Sequence, residues 1–265
     1  TPAPTAEPTS PPTAEPLSFP GGLDDDGRGP DEYDDPYAAF AGGLADDGPG
    51  EDAPYPLREI DMTASQQYEA NVFLSNFAEQ FFENFSLDSE PDILRRMVDF
   101  ARSWTKLNRS GGIRYGSLDG VSYEVLTLEE VNEVVSRYFP FQISRFAAEN
   151  LYTPTDHSFS RDGIFHFEPS DGEACNRIAV CDRMTLMSDE TYFLNFSVYE
   201  IDLETYFDFE DGIPRSYYEL TPREAASAAP LTRICDGAAL TIPYSWQDRA
   251  TFQLLEYSTW PAETE

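Results

Sequence analysis

Apolar side chains gather in the later three quarters of the chain, and their spacing changes partway along. Tyr68 to Phe85 reads YEANVFLSNFAEQFFENF, with six aromatic residues broken by a handful of polar ones. Phe73, Phe77 and Phe81 recur at i, i+4 and i+8, with Leu74, Ala78 and Phe82 on the adjoining stripe. This predicts a helix over 68–82 with a wide apolar face, leaving Asn71, Ser75, Asn76 and Glu79 mostly on the other side. A second helix starts from a capping box of Ser89 and Asp92, with Pro91 in its first turn. Ile93, Leu94, Met97, Val98, Ala101, Trp104 and Leu107 hold a 3–4 spacing until Asn108 and Gly111-Gly112 end it. A short strand near Ile113–Tyr115 and a strand over Val121–Leu126 follow. Thr127 and Glu130 then box a helix from Leu128 to Phe139 that Pro140 stops.

From Phe141 onward the period becomes two. Arg161-Asp162-Gly163 is a turn leading into the alternating Ile164-Phe165-His166-Phe167. Ile178–Met187 and Thr191–Asp202 are longer alternating runs joined by Ser188-Asp189-Glu190, which predicts a hairpin. Tyr206–Tyr218 is aromatic but broken by Gly212 and Pro214. Thr221-Pro222-Arg223-Glu224 starts a short helix, and Ile234–Tyr244 and Thr251–Tyr257 close the chain as strands. Helices first and antiparallel strands afterwards give an α+β fold, with N-terminal helices packed on one face of a curved sheet. Nuclear-transport-factor-like cones have this arrangement.

Ahead of residue 58 the pattern is absent. Thr1–Pro20 repeats Thr-Ala-Glu-Pro at 5–8 and 13–16, an extended polyproline-type composition. Gly21–Tyr55 continues as an acidic linker in which like charges repel, with one apolar patch at Tyr37–Ala41 that could dock on the domain or on a partner. The expected organisation is a linker or stalk over 1–57 and a single globular domain over 58–265. No apolar run approaches the length of a membrane-spanning helix. A Thr/Pro/Ala/Glu spacer of this kind is what exported lipoproteins carry behind their lipid anchor, so an anchor upstream of residue 1 is expected. An ordinary interdomain linker has the same composition.

Charge narrows the partners. The chain carries 49 acidic against 17 basic side chains, net −32, and its one lysine is Lys106. Such a field repels phosphate backbones and anionic lipid surfaces, so nucleic acid is an unfavourable partner. Solubility explains the charge as readily as a basic or cationic partner does. Cys175, Cys181 and Cys235 fit no zinc spacing, since CNRIAVC separates its cysteines by five residues. A single bridge fits an oxidising compartment, and buried apolar packing fits equally.

Candidate chemistry is sparse. His157 and His166 are the two histidines, and Asp156-His157-Ser158 places the three residue types of a hydrolase triad side by side. Adjacent side chains diverge, so no relay forms among them. His166, between Phe165 and Phe167, is expected to face outward. Asp202–Asp211 (DLETYFDFED) could hold calcium but lacks the order of an EF-hand loop, and a solvated edge strand is the simpler reading. Tyr217-Tyr218, Trp246 and Trp260 could form an aromatic platform for sugars or peptides, or could pack the core and its rim. Asn84, Asn108 and Asn195 match the N-glycosylation pattern, and Asn195 falls inside an expected strand. No phosphate-binding glycine loop and no nucleophile elbow occurs. No catalytic, cofactor-binding or metal residue is therefore assigned.

The stretch Asn71–Glu79 (NVFLSNFAE) resembles a family of uncharacterised exported, lipoprotein-type domains of anaerobic Gram-positive bacteria that carry an FLSNF-small-Glu signature. Met97–Asn108 (MVDFARSWTKLN), Tyr123–Phe139 and the closing Phe252–Tyr257 are similar to the same family more loosely. The resemblance covers residues 68–257 and implies an exported or surface-attached bacterial protein. It implies no activity and no functional residues. The expected function is an extracytoplasmic binding or interaction module for an extracellular or cell-envelope ligand. A carboxylate-based hydrolase with a pocket between helices and sheet, and a structural envelope component, are the alternatives.

Overall fold

The computed structural model describes residues 57–262 apart from 81–83, 88–92, 110–111, 153–157, 171–174, 188–190, 210–211 and 248. The linker expected over 1–57 lies outside these residues up to position 56. The described residues belong to one unit.

The chain enters as strand β1 (Arg58–Ile60) and helix α1 (Ala64–Ala78), then β2 (Phe85–Ser86) and α2 (Ile93–Asn108). Strands β3 (Arg114–Leu118) and β4 (Val121–Thr127) lead into helices α3 (Leu128–Tyr138) and α4 (Arg145–Glu149), then β5 (Phe159–Arg161) and β6 (Ile164–Phe167). The long hairpin of β7 (Arg177–Leu186) and β8 (Tyr192–Ile201) precedes three short helices, α5 (Leu203–Phe207), α6 (Arg215–Tyr218) and α7 (Pro222–Ser227). Strands β9 (Leu231–Trp246) and β10 (Arg249–Pro261) complete the chain.

The helix starts follow local chemistry. Thr63 with Gln66, Thr127 with Glu130, and Thr221 with Glu224 each form a reciprocal capping box. The second and third are legible in sequence. The first begins α1 ahead of the aromatic run, at Thr63 rather than Tyr68. The Ser89–Asp92 box and the Phe81–Phe82 end of the first helix lie outside the described residues.

The fold is α+β with a curved, unclosed sheet. The strands make two antiparallel sheets, one of six strands in the order β1-β7-β8-β9-β10-β2 and one of four in the order β3-β4-β6-β5. Register shifts at Cys181/Arg183, Val198/Tyr199 and Leu254/Glu256 are bulges that bend the long strands. Gly237 lets the bent strands close up: a Cβ there would meet Phe196 Cζ at 2.2 Å and the Ser258 carbonyl oxygen at 2.8 Å.

Helices α1, α2 and α3 fill one face of the sheet. Phe77 is at the centre, stacked on Phe100 at 4.8 Å between centroids and edge-on to Phe73, Tyr138 and Phe139. The opposite face at the β7–β8 end is covered too. Ile178, Val180, Tyr199 and Ile201 pack there against Ala225 of α7 and the rings of Tyr206 and Tyr217. Two expectations give way here. Besides the expected helix at Thr221, the period-two region is interrupted by α4, α5 and α6, each too short to show a helical repeat. DLETYFDFED, described as far as Phe209, is not an edge strand there: Asp202 caps α5, accepting from the Thr205 amide at 2.9 Å.

The polar side of α1 is also not a solvent face. Asn71, Ser75 and Asn76 are buried along with the phenylalanines. Strand β1 pairs with Met184–Leu186 of β7, so among the described residues the preceding stretch of β7 has no strand on that side. α1 takes the strand's place. Gln67 Nε2 donates to the Cys181 carbonyl, and the Cys181 amide donates to Asn71 Oδ1. Ser75 Oγ accepts from the Ala179 amide at 2.8 Å and donates to its carbonyl. Spaced at i, i+4 and i+8, these side chains satisfy backbone groups that an edge strand would otherwise leave buried and unpaired.

Candidate functional site

A groove crosses the exposed flank of α1 beneath the tip of the β9–β10 hairpin. It exists because the hairpin outruns its neighbours: β8 pairs with β9 only up to Thr241, while β9 and β10 continue to Trp246 and Arg249. The turn is tight, with Gln247 in left-handed backbone at φ 49°. That conformation costs a non-glycine residue roughly 1 kcal/mol.

Four hollows join along this line. The central one, about 170 Å³, is lined by Tyr68, Glu69, Asn76, Arg137, Trp246 and Arg249 among others. It shares Glu69 and Thr251 with a hollow of about 330 Å³ that reaches Arg58, Tyr192 and Tyr244. On the other side it shares Arg137, Trp246 and Gln247 with a hollow of about 390 Å³ bounded by Trp104, Arg109 and Glu133. A fourth opens at Arg215 and Glu219 beside Tyr68.

Five arginines from separate parts of the chain line this groove. Arg109 is held by Glu130 at 2.6 Å and Arg215 by Glu219 at 2.6 Å. Arg58, Arg137 and Arg249 form no salt bridge with any described residue. In a chain where carboxylates outnumber cations 49 to 17, three unpaired guanidinium groups on one groove are a concentration of available positive charge. Arg137 is held by rings instead, its Cζ 5.4 Å from the Trp104 centroid and 5.2 Å from that of Tyr138. The Trp104 indole N–H is fixed in turn by Asn76 Oδ1 and Tyr138 Oη, both at 2.9 Å. Glu130 is engaged by the Thr127 amide, Arg109 and Arg114. Burial would raise its pKa, but these donors prevail and hold it down at about 2.

The α1 polar stripe ends in a second ionisable arrangement. Glu79 Oε1 accepts from the Tyr218 hydroxyl at 2.7 Å. Burial lifts the Glu79 pKa to about 7, with the Tyr218 hydrogen bond pulling only partly the other way. Burial and the neighbouring carboxylate push the Tyr218 phenol far above its ordinary value. Because the folded-state pKa is raised, this carboxyl contributes stability present below its ordinary value of 4.5 and lost as pH rises through 7. The expected result is that wild type loses about 1–3 kcal/mol relative to Glu79→Gln between pH 5 and pH 8. Denaturant unfolding of both proteins at the two pH values measures it, and equal slopes would show that Glu79 does not titrate in this range.

The residues singled out in sequence separate. Asp156 and His157 lie outside the described residues. His166 does face away from Phe165 and Phe167, but it is stacked on Phe159 at 4.5 Å and flanked by Tyr123 rather than standing in solvent. Tyr217, Tyr218, Trp246 and Trp260 form no common platform. Tyr217 packs the second core, Tyr218 meets Glu79, and the two tryptophans stand at opposite ends of the β9–β10 ladder. Trp246 contributes to the groove with different partners, Tyr244 and Trp104. Among the described residues no disulfide joins Cys175, Cys181 and Cys235, and no three His, Cys, Asp or Glu side chains stand together as a metal site. Asn195 pairs with Arg183 within the sheet, and Asn84 accepts from the Thr259 amide.

Sequence reasoning missed Arg58, Arg137, Arg249 and Gln247. The excess of arginine over lysine was visible, but nothing local marks which arginines lack a carboxylate. No described helix is long and apolar enough to cross a membrane. No protein-family model matches the chain, and neither a curated protein nor a solved structure is similar to it.

Proposed function

We propose that the chain is an extracytoplasmic binding module, tethered through its N-terminal spacer, that captures an anionic ligand in the groove between α1 and the β9–β10 tip. The observation that carries this reading is the set of three carboxylate-free arginines, Arg58, Arg137 and Arg249, on one aromatic-lined groove of a strongly acidic chain. A guanidinium fork pairs with carboxylate or phosphate oxygens through charge-assisted hydrogen bonds. Trp104 and Trp246 supply flat apolar surface beside it.

The spacer composition and the likeness of Asn71–Glu79 to exported domains support the location. Protease accessibility of the protein on intact producing cells tests it. The hydrolase alternative needs two convergent carboxyls in a pocket. The described acids whose pKa is raised, Glu79, Asp99 and Asp182, line none of the groove's hollows, and of the acids that do, Glu130 and Glu219 are held by arginine, which favours binding over hydrolysis.

Two of the three tryptophans border the groove, which gives a direct readout. Titration with a panel of carboxylate-bearing and phosphate-bearing envelope fragments is expected to change tryptophan emission saturably for at least one. Arg137→Ala is expected to weaken that binding tenfold or more, since a hydrogen bond to a charged group contributes about 1.5–3 kcal/mol. A panel that leaves emission unchanged would overturn the reading.

A further inference from the structure

We infer that the ligand of this groove is an acidic oligosaccharide, a run of uronate-type sugars, rather than a compact anion. The inference rests on the groove being the ligand surface and names what that surface takes.

Shape is the first argument. Neighbouring hollows share lining residues, so the site extends along α1 rather than forming a single cup. Along α1 alone it runs from Ser65 to Asn76, about 16 Å at 1.5 Å per residue. The unpaired cations are distributed along it. Arg58 stands in one hollow, Arg249 in the central one, and Arg137 between the central hollow and the next. A ligand with one charge per unit can meet all three, whereas a single phosphate or carboxylate in the central hollow would leave Arg58, which lines the next hollow, unengaged.

The walls supply the second argument. Between the arginines stand aromatic faces, Tyr244, Trp246 and Trp104, which match the C–H faces of pyranose rings. Among them also stand Glu69, Glu133 and the amide of Gln247. Carboxylates in an anion site repel a ligand that is anionic throughout, but they accept hydrogen bonds from hydroxyl groups. Alternating guanidinium and carboxylate therefore fits a ligand that alternates carboxylate with hydroxyl, as a uronate chain does. A polyphosphate or nucleic acid, dense in charge and poor in hydroxyl donors, would meet Glu69 and Glu133 in the groove and a net charge of −32 around it.

The test is titration of the full chain, by calorimetry and tryptophan emission, with oligogalacturonates of one and three residues. The carboxyl-reduced trisaccharide, a hexaglutamate peptide and inorganic phosphate are the comparison arms. The uronate trisaccharide is expected to bind at least tenfold more tightly than both the monosaccharide and its carboxyl-reduced counterpart. Arg58→Ala and Arg249→Ala are each expected to weaken it about tenfold with unchanged melting temperature, because neither side chain holds a carboxylate in the fold. Trp246→Ala is expected to weaken it as well. Binding of hexaglutamate or phosphate with the uronates silent would overturn the saccharide assignment and leave the anion-binding reading intact. Equal affinity for mono- and trisaccharide would overturn the extended occupancy. Silence toward every anion would overturn both.

Discussion

Replacing Asn71 by alanine is expected to cost about 3–5 kcal/mol, because each buried group left unsatisfied costs about 1–3 kcal/mol. All four hydrogen-bonding positions of this amide are in use. Nδ2 donates to the carbonyls of Tyr218 and Leu220 at 3.0 and 2.9 Å, and Oδ1 accepts from the Cys181 amide at 2.7 Å and from Gln67 at 2.9 Å. One side chain thus joins α1, the edge of β7 and the end of α6. Against a typical total of about 5–15 kcal/mol, the loss leaves a marginal protein. Asn71→Asp discriminates this account from simple cavity formation. It preserves volume and both acceptors but turns a carboxylate toward two carbonyls, so its folded-state pKa must rise. The variant is then expected to come closest to wild type at pH 4–5 and to fall away as pH rises toward 8. Denaturant unfolding across that range measures it, and a pH-independent deficit would contradict the assignment of the two carbonyls as the partners.

Glu124→Ala is the second large loss, expected at about 2–4 kcal/mol, somewhat below the usual range for breaking a buried ion pair because its cations retain some access to water. Glu124 is fully buried on β4, where Oε2 meets Arg102 at 2.6 Å and Oε1 meets the Lys106 ammonium at 2.7 Å. The same two cations bind the Glu168 carbonyl and Ser170, so the triad fastens the chain after β6 to α2. Burial alone would raise the Glu124 pKa, but the donors from Lys106 and Arg102 outweigh it and hold it below the ordinary value. Its stabilisation is accordingly present above pH 4.5 and lost as pH falls through the lowered folded-state pKa, the opposite sign to Glu79. Glu124→Gln should flatten that acid limb. The double variant Glu124→Leu with Lys106→Met should recover part of the loss, since Arg102, which keeps the Glu168 carbonyl and some access to water, is then the one cation left without the carboxylate. Failure of the double variant to recover anything would mean that the packing of Glu124, not its charge, is what the fold uses.

The Asn71 and Glu124 arrangements show where pattern reading stops. Lys106, the single lysine of the chain, could be noticed in sequence, but its partner Glu124 lies on another element and one acid among 49 cannot be picked out by spacing. Asn71, Ser75 and Glu79 share a helical stripe that looks like a wet face because helical period separates polar from apolar residues. It cannot distinguish a polar stripe that meets water from one that meets an unpaired strand edge. Within Asn71–Glu79 the phenylalanines and Leu74 fill the core, and Asn71, Ser75 and Glu79 grip β7 and Tyr218.

What the chain determines locally came through in sequence. The capping boxes at Thr127 and Thr221, the turn at Asp162-Gly163 and the β7–β8 hairpin each depend on a few neighbouring residues, and the neighbouring residues were enough. Only the tertiary structure decided the division into two sheets, the helices on the second face, the helix standing in for a strand, and the convergence of Arg58, Arg137 and Arg249. Each of these joins residues tens to hundreds of positions apart. Side-chain type records what a residue can pair with, and the path of the folded backbone selects which partner it meets.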